Sequence, residues 1–303
     1  MTEYIAVLPD GIDSTASHTY LRLPHPRSGA PQLYLPTPTG LCEVSKLTGS
    51  RGRTWFVGDN VSPGAMLLHH PIDPVFLAIP LALSLLHPDR TTPFQPLADL
   101  LTPQSHFDLK PAFSSSAAPA HNPDAGRLVA HMPFRRAFRA CCERKLVDAV
   151  PTPEEAYYRP SRAAMLAIVR AKVDSLAAAD TFDKFDHLVR GLGRDGLLEP
   201  SADPALVHAA RVSAAIEHVA QYLPPPLLAS LTASYDLDAY NAYLADRVAA
   251  ARAAEAPVVI EKKQKTTKRK LAKTESSRGV EALKKVNTNG MAKMTSFFKP
   301  TTK

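Results

Sequence analysis

Short apolar runs separated by turn-forming residues fill the first seventy positions of the chain. "EYIAVLP" (3–9), "HTYLRLP" (18–24), "QLYLP" (32–36), "LCEVSKL" (41–47), "RTWFVGD" (53–59) and "AMLLHH" (65–70) each have strand length, with Pro, Gly, Ser and Asp between them. Strands at this spacing predict a small all-β sheet or barrel. Cys42 and Val44 alternate with polar neighbours as a half-buried strand does, whereas Tyr20–Leu23 alternates only in part. Such strands build a thin core, so the sheet is expected to need a partner to close it.

The pattern changes at "PIDPVFLAIPLALSLL" (71–86). Asp73 is a good N-cap and Pro74 suits the first turn of a helix. A buried helix is expected to follow, kinked or ended near Pro80. Residues 88–127 are rich in Pro, Ser and Ala, and "SSSAAPAHNPDAG" (114–126) reads as a flexible surface insertion. From about 128 to 255 the periodicity is helical. "PFRRAFRACCERKLVDAV" (133–150) reads as one helix. Pro160 opens a second, with Met165, Ile168, Val169, Val173 and Leu176 on one face. Val212, Ile216, Val219 and Leu223 mark a third, ahead of the break at 224–226, and a last helix runs from about Leu237 to Ala254. These Ala-rich amphipathic segments suit a small bundle. The expected organisation is a β module (1–88), a linker with an insertion (89–127), a helical domain (128–256) and a disordered basic tail (257–303), whose opening stretch is too polar to offset the entropy of ordering.

Composition sharpens this division. At 45% apolar, the chain can bury a real core. Net charge is +7, but 13 of the 36 Lys/Arg and only three of the 29 Asp/Glu fall in 257–303; the tail therefore carries +10 and the remainder −3. The basicity belongs to the tail and gives no support to a basic nucleic-acid-binding fold. Cys42, Cys141 and Cys142 are odd in number and two are adjacent, which argues against a disulfide framework and for a reducing compartment. "MTEYIAVLPDG" lacks the pattern of a signal peptide, and the apolar run 75–86 is too short for a membrane span. A soluble intracellular protein is expected.

Enzyme chemistry leaves little trace. "DTFDKFDHL" places Asp180, Asp183 and Asp186 three apart, loosely like a metal-binding run, yet acids at helix starts serve the helix dipole equally well. His69 and His70 are neighbours on an expected strand, so they face opposite sides. G-x-S-x-G, a phosphate-binding glycine loop and H-E-x-x-H are missing. This agrees with an accessory subunit. The basic run 262–270, with Lys262, Lys263, Lys265, Lys268, Arg269 and Lys270, reads as a nuclear-import signal, as a phosphate-binding tether, or as a solvated linker.

The end of the chain carries four large apolar residues in "MAKMTSFF" (291–298). This resembles the sliding-clamp-binding box, with Met291 at its usual Gln position, Met294 at the aliphatic one, and Phe297 and Phe298 as the aromatic pair. One 3₁₀ turn brings residues three apart onto one side, making a single plug. Each such side chain contributes about 1.5–3 kcal/mol gross on burial. Ordering the tail offsets part of that, so affinity of about micromolar order is expected. Met291 in place of Gln removes a polar contact and weakens the box.

"LKKVNTNGMAKMTSFF" (283–298) resembles the C-terminal end of the B subunit of eukaryotic type 2 ribonuclease H. A second match, "RTWFVGDNVSPGAMLLHHPIDPVFLAIPLAL" (53–83), resembles that family's Trp-Phe strand and the start of its following helix. The resemblance implies an α+β fold: a β-barrel-like module completed by a partner subunit, then a winged-helix-like helical domain, then the basic tail. It implies a non-catalytic subunit that needs no cofactor, since the Mg-dependent chemistry lies in the A subunit. Its partners would be the A and C subunits, the PCNA clamp and, through the complex, RNA/DNA hybrid, in the nucleus and away from membranes. Trp55, Phe56, Asp73, Pro74 and Phe76 are then the candidates for subunit assembly. The complex degrades RNA in hybrids and incises at ribonucleotides in DNA. Two other readings are a free-standing clamp-binding adaptor in replication or repair, and an enzyme using Asp180, Asp183 and Asp186.

Overall fold

The computed structural model describes residues 4–13, 15–48, 54–87, 91–102, 123–146 and 156–255. Seven strands come first: β1 (Ile5–Val7), β2 (Leu21–Pro24), β3 (Pro31–Pro36), β4 (Leu41–Thr48), β5 (Thr54–Val57), β6 (Asn60–Pro63) and β7 (Ala65–Ile72). All six expected strands are present, and β6 is an addition. Five of the seven form one sheet in the order β1-β7-β4-β3-β2, and β5 and β6 form a separate hairpin. Gly58, with φ 58°, opens the two-residue turn of that hairpin, a left-handed position that glycine takes without strain.

The expected barrel is not closed. β1 and β2 are the two edges of the sheet, three and four residues long, and they do not pair with each other. The long central pair β4–β7 is antiparallel over eight residues, whereas β1 joins β7 in parallel. Register puts Leu21, Tyr34 and Glu43 on one face. With Leu23, Leu41 and Ile72, the apolar members of that face join the main core beneath the helices. The opposite face carries Leu35, Cys42, Val44 and His69, all buried, and the exposed Leu33. Strand β4 thus departs from the expected alternation: Leu41, Cys42, Glu43 and Val44 are all buried.

After β7 the chain turns into helix α1 (Val75–Ser84). The turn starts at Pro74, whose φ and ψ are already helical, and Asp73 caps it: its Oδ1 accepts the Val75 N–H at 2.9 Å. The helix runs on through Pro80 to Ser84 and does not end there. It lies almost wholly buried, so packing outweighs the one backbone hydrogen bond that proline removes.

The stretch read as linker also holds structure. β8 (Gln95–Pro96) leads into α2 (Leu97–Leu100), and the last residues of the expected insertion, from Pro123, form the start of α3 (Pro123–Ala130). The expected helix over 133–150 is shorter. Helix α4 (Met132–Ala140) ends, and Cys142–Lys145 is strand β9, paired antiparallel with β10 (Tyr157–Pro160). Cross-strand pairing here overrides a local helical composition. β8, β10 and β9 make a three-stranded sheet. Pro160 closes β10, and the next helix, α5 (Arg162–Ala177), is capped instead by Ser161.

The remaining helices are α6 (Ala179–Phe182), α7 (Asp186–Arg194), α8 (Pro204–Ala220), α9 (Pro225–Thr232) and α10 (Asp238–Glu255). Met165, Val169, Val173 and Ala177 of α5 recur every four residues and are fully buried. They join Phe134, Phe138, Val212, Ile216 and Leu223 in the main core, and Ile168 and Leu176 pack on it, as the periodicity predicted. A second, smaller core gathers Phe182, Leu192, Leu197, Ala210 and Tyr240. The C-terminal end of α7 is closed from α10: Tyr243 donates to the Asp195 carbonyl at 2.6 Å, and Arg247 donates to the carbonyls of Asp195 and Arg194. Gly196, φ 71°, sits beneath this fork, where a Cβ would lie 2.4 Å from Arg247 Nη1. Among the described residues, no helix is long and apolar enough to cross a membrane.

Candidate functional site

The open sheet has an inner side, fastened to the helices, and a rim of exposed apolar groups. On the inner side a carboxyl group is buried: Glu43 is 8% exposed, at the centre of β4. The Tyr222 hydroxyl, just past α8, donates to Glu43 Oε2 at 2.9 Å. The Tyr222 ring lies between His25 and Phe76, with centroids 5.5 and 5.3 Å away. Burial first, then the bond to Glu43 and its charge, push the Tyr222 hydroxyl up to about 12. Burial lowers His25, with Glu43 opposing. His25 Nδ1 accepts from the backbone N–H groups of Arg27 and Ser28 at 3.3 and 3.4 Å, which fits a neutral ring. Arg27 adds a second fastening, donating to the Ala220 carbonyl at 3.1 Å. The buried Tyr34 hydroxyl has no partner among the described residues, and burial raises its pKa.

His69 and His70 face opposite ways, as adjacent strand residues must, one buried and one exposed. His69 Nδ1 lies 2.9 Å from the Val7 carbonyl, which can only accept, so this nitrogen carries the proton. Nε2 then accepts from the Tyr20 hydroxyl at 3.0 Å. The ring ties edge strand β1 to the body of the sheet.

The rim is apolar and exposed. Phe56 on the β5–β6 hairpin is 79% exposed, and Tyr4, Val7, Leu33 and Leu47 stand out from β1, β3 and β4 or beside them. Edge strand β2 is partly covered, since the Arg22 N–H donates to Asp124 Oδ2 of α3 at 2.9 Å. The exposed Phe56 ring and edge strand β1 are what a partner strand or an apolar surface can cover.

The assembly candidates divide between these two sides. Trp55 and Phe56 lie on β5, in register with Ser62 and Val61 of β6. Asp73, Pro74 and Phe76 lie at the junction with the helices. Asp73 pairs with Lys172 of α5, and Phe76 packs on Tyr222 under the Lys172 ammonium. Asp180, Asp183 and Asp186 stand at the starts of α6 and α7 or between them; Asp183 lies 3.6 Å from Arg211, and Asp186 pairs with Arg190 one turn on. Among the described residues no group of three or more His, Cys, Asp or Glu is placed to hold a metal. All three cysteines are buried and unpaired. The import run 262–270 and the box residues Met291, Met294, Phe297 and Phe298 lie outside the described residues. Sequence reading missed Glu43, Tyr222 and His25, because their link spans 179 residues and Glu43 follows an apolar–polar alternation that points it outward.

Residues 7–73 match the family model of the Ydr279p protein triple barrel domain. The matched stretch runs from the last residue of β1 to the cap of α1, and so takes in most of the open sheet and the hairpin. No curated protein matches the chain.

Proposed function

We propose that the chain is the non-catalytic B subunit of a eukaryotic type 2 ribonuclease H, a scaffold that joins the catalytic A subunit and the C subunit and carries a clamp-binding tail. The observation that supports this most is the triple-barrel match over 7–73, laid on an open sheet with an exposed Phe56 on its hairpin. In this reading a strand of the C subunit pairs along the β1 edge, since an unpaired edge backbone group gains a hydrogen bond when another strand is added. Phe56 is covered in the same step, contributing about 1.5–3 kcal/mol gross. The helices, fastened to the sheet through Glu43–Tyr222 and Asp73–Lys172, follow it as one piece. The hydrolytic chemistry and its Mg²⁺ belong to the A subunit. The tail, through Met294, Phe297 and Phe298, docks the complex on PCNA in the nucleus.

Co-expression tests this. With A and C subunits the chain should elute as a single heterotrimer that cleaves RNA in an RNA/DNA hybrid and incises duplex DNA at an embedded ribonucleotide. The chain alone should be inactive on both substrates. Elution apart from A and C, as a stable monomer, would overturn the proposal.

A further inference from the structure

A second surface lies on the helices and takes in the assembly candidates Asp73 and Pro74 at their junction with the sheet. The start of α1, helix α4 and helix α5 enclose an open cleft of about 330 Å³. Val75, Ala137, Ala140 and Ile168 form its apolar wall. Past Ile168 and Lys172 it adjoins a second hollow of about 460 Å³ along α5, reaching Leu176 and the partly exposed Phe185. From Ile168 to Leu176 the helix rises about 12 Å, room for two turns of a docked helix. Small side chains at Ala137, Ala140 and Ala171 let a second backbone come close.

The charge on the rim narrows the choice of occupant. Lys172 is matched by Asp73. Arg136 lines the same cleft, is exposed, and has no hydrogen bond or ion pair among the described residues. The cleft therefore has an apolar floor and one positive charge in excess. A nucleic-acid backbone needs a row of cations, each meeting a phosphate, and has no use for the floor. An amphipathic helix with an acidic flank satisfies both, its aliphatic residues on the floor and its carboxylate on Arg136. We propose that this cleft docks an acidic amphipathic helical segment of a partner protein.

Fluorescence anisotropy of the full chain tests it. The probe is a labelled helical peptide with a leucine stripe flanked by glutamates; the control keeps the leucines and carries lysines instead. The acidic probe should saturate and the lysine control should not. Arg136→Glu, at an exposed position, should weaken the probe about tenfold or more. Ala140→Glu, also exposed, should place a carboxylate against the leucines and abolish saturation with the circular dichroism spectrum unchanged. Equal binding of the two peptides, or an unchanged affinity in Arg136→Glu, overturns the proposal. So does displacement of the probe by a short DNA duplex with a steep salt dependence, or dimerisation of the chain through the same residues.

Discussion

Replacing Tyr222 by Phe tests how the sheet is held to the helices. The substitution removes one oxygen and leaves the ring between His25 and Phe76. Glu43 remains buried and loses the donor at 2.9 Å. A hydrogen bond to a charged group contributes about 1.5–3 kcal/mol, and leaving the buried partner unpaired forfeits all of it. Tyr222→Phe should therefore lower unfolding free energy by about 1.5–3 kcal/mol. Glu43→Leu should cost less, because the half-buried hydroxyl left behind can turn to water. The double variant should lose clearly less than the sum of the two single losses, a coupling of about 1 kcal/mol or more. Urea unfolding of the full chain, followed by far-UV circular dichroism, gives these values. The alkaline limb supplies an independent check. The hydroxyl titrates near 10 when unfolded and is raised to about 12 when folded. Its contribution is present below pH 10 and is lost as pH rises towards 12. The gap between wild type and Tyr222→Phe should narrow over that window, while Tyr235 and Tyr240, also raised to about 12, decline alike in both proteins. A loss under about 0.5 kcal/mol, or a gap that stays constant to pH 12, would refute the reasoning.

Gly196→Ala should destabilise by about 1 kcal/mol from the left-handed backbone alone, and by more if Arg247 is driven off its two carbonyls; thermal unfolding checks it. Asp73→Ala removes a cap and a partly exposed ion pair, so a loss of about 1 kcal/mol is expected, nearly all of it from the cap, and little changed by salt. Phe56→Ser should leave unfolding within about 0.5 kcal/mol of wild type while reducing co-purification with the C subunit. Phe297→Ala with Phe298→Ala should abolish PCNA binding in surface plasmon resonance and leave assembly and hybrid cleavage intact.

Strands and core helices were legible where one face decides their fate. Met165, Val169 and Val173 recur at the helical period because they meet one core, and β3, β4 and β7 are bounded by turn residues visible in the sequence. Elements that depend on distant partners were hidden. "CERK" (142–145) has nothing strand-like in it and is extended because Tyr157–Pro160 lies alongside. β6, "NVSP", is too polar to announce itself and follows from the Gly58 turn. Pro80 reads as a breaker until the burial around it is known. The same limit applies to function: Phe56 was named through the resemblance of its motif, whereas the Glu43–Tyr222 contact joins residues that no local pattern relates.

The fork of Arg247 has a mechanical consequence. Helix α10 is the last described element, and Arg247 and Tyr243 grip the end of α7 by several hydrogen bonds made side by side. A force entering α10 at its C-terminal end and directed along its axis would load these bonds together instead of peeling them one by one. The last helix then behaves as an anchor bolt: traction on it is spread into the smaller core through Tyr240 and Leu192 before it reaches the sheet.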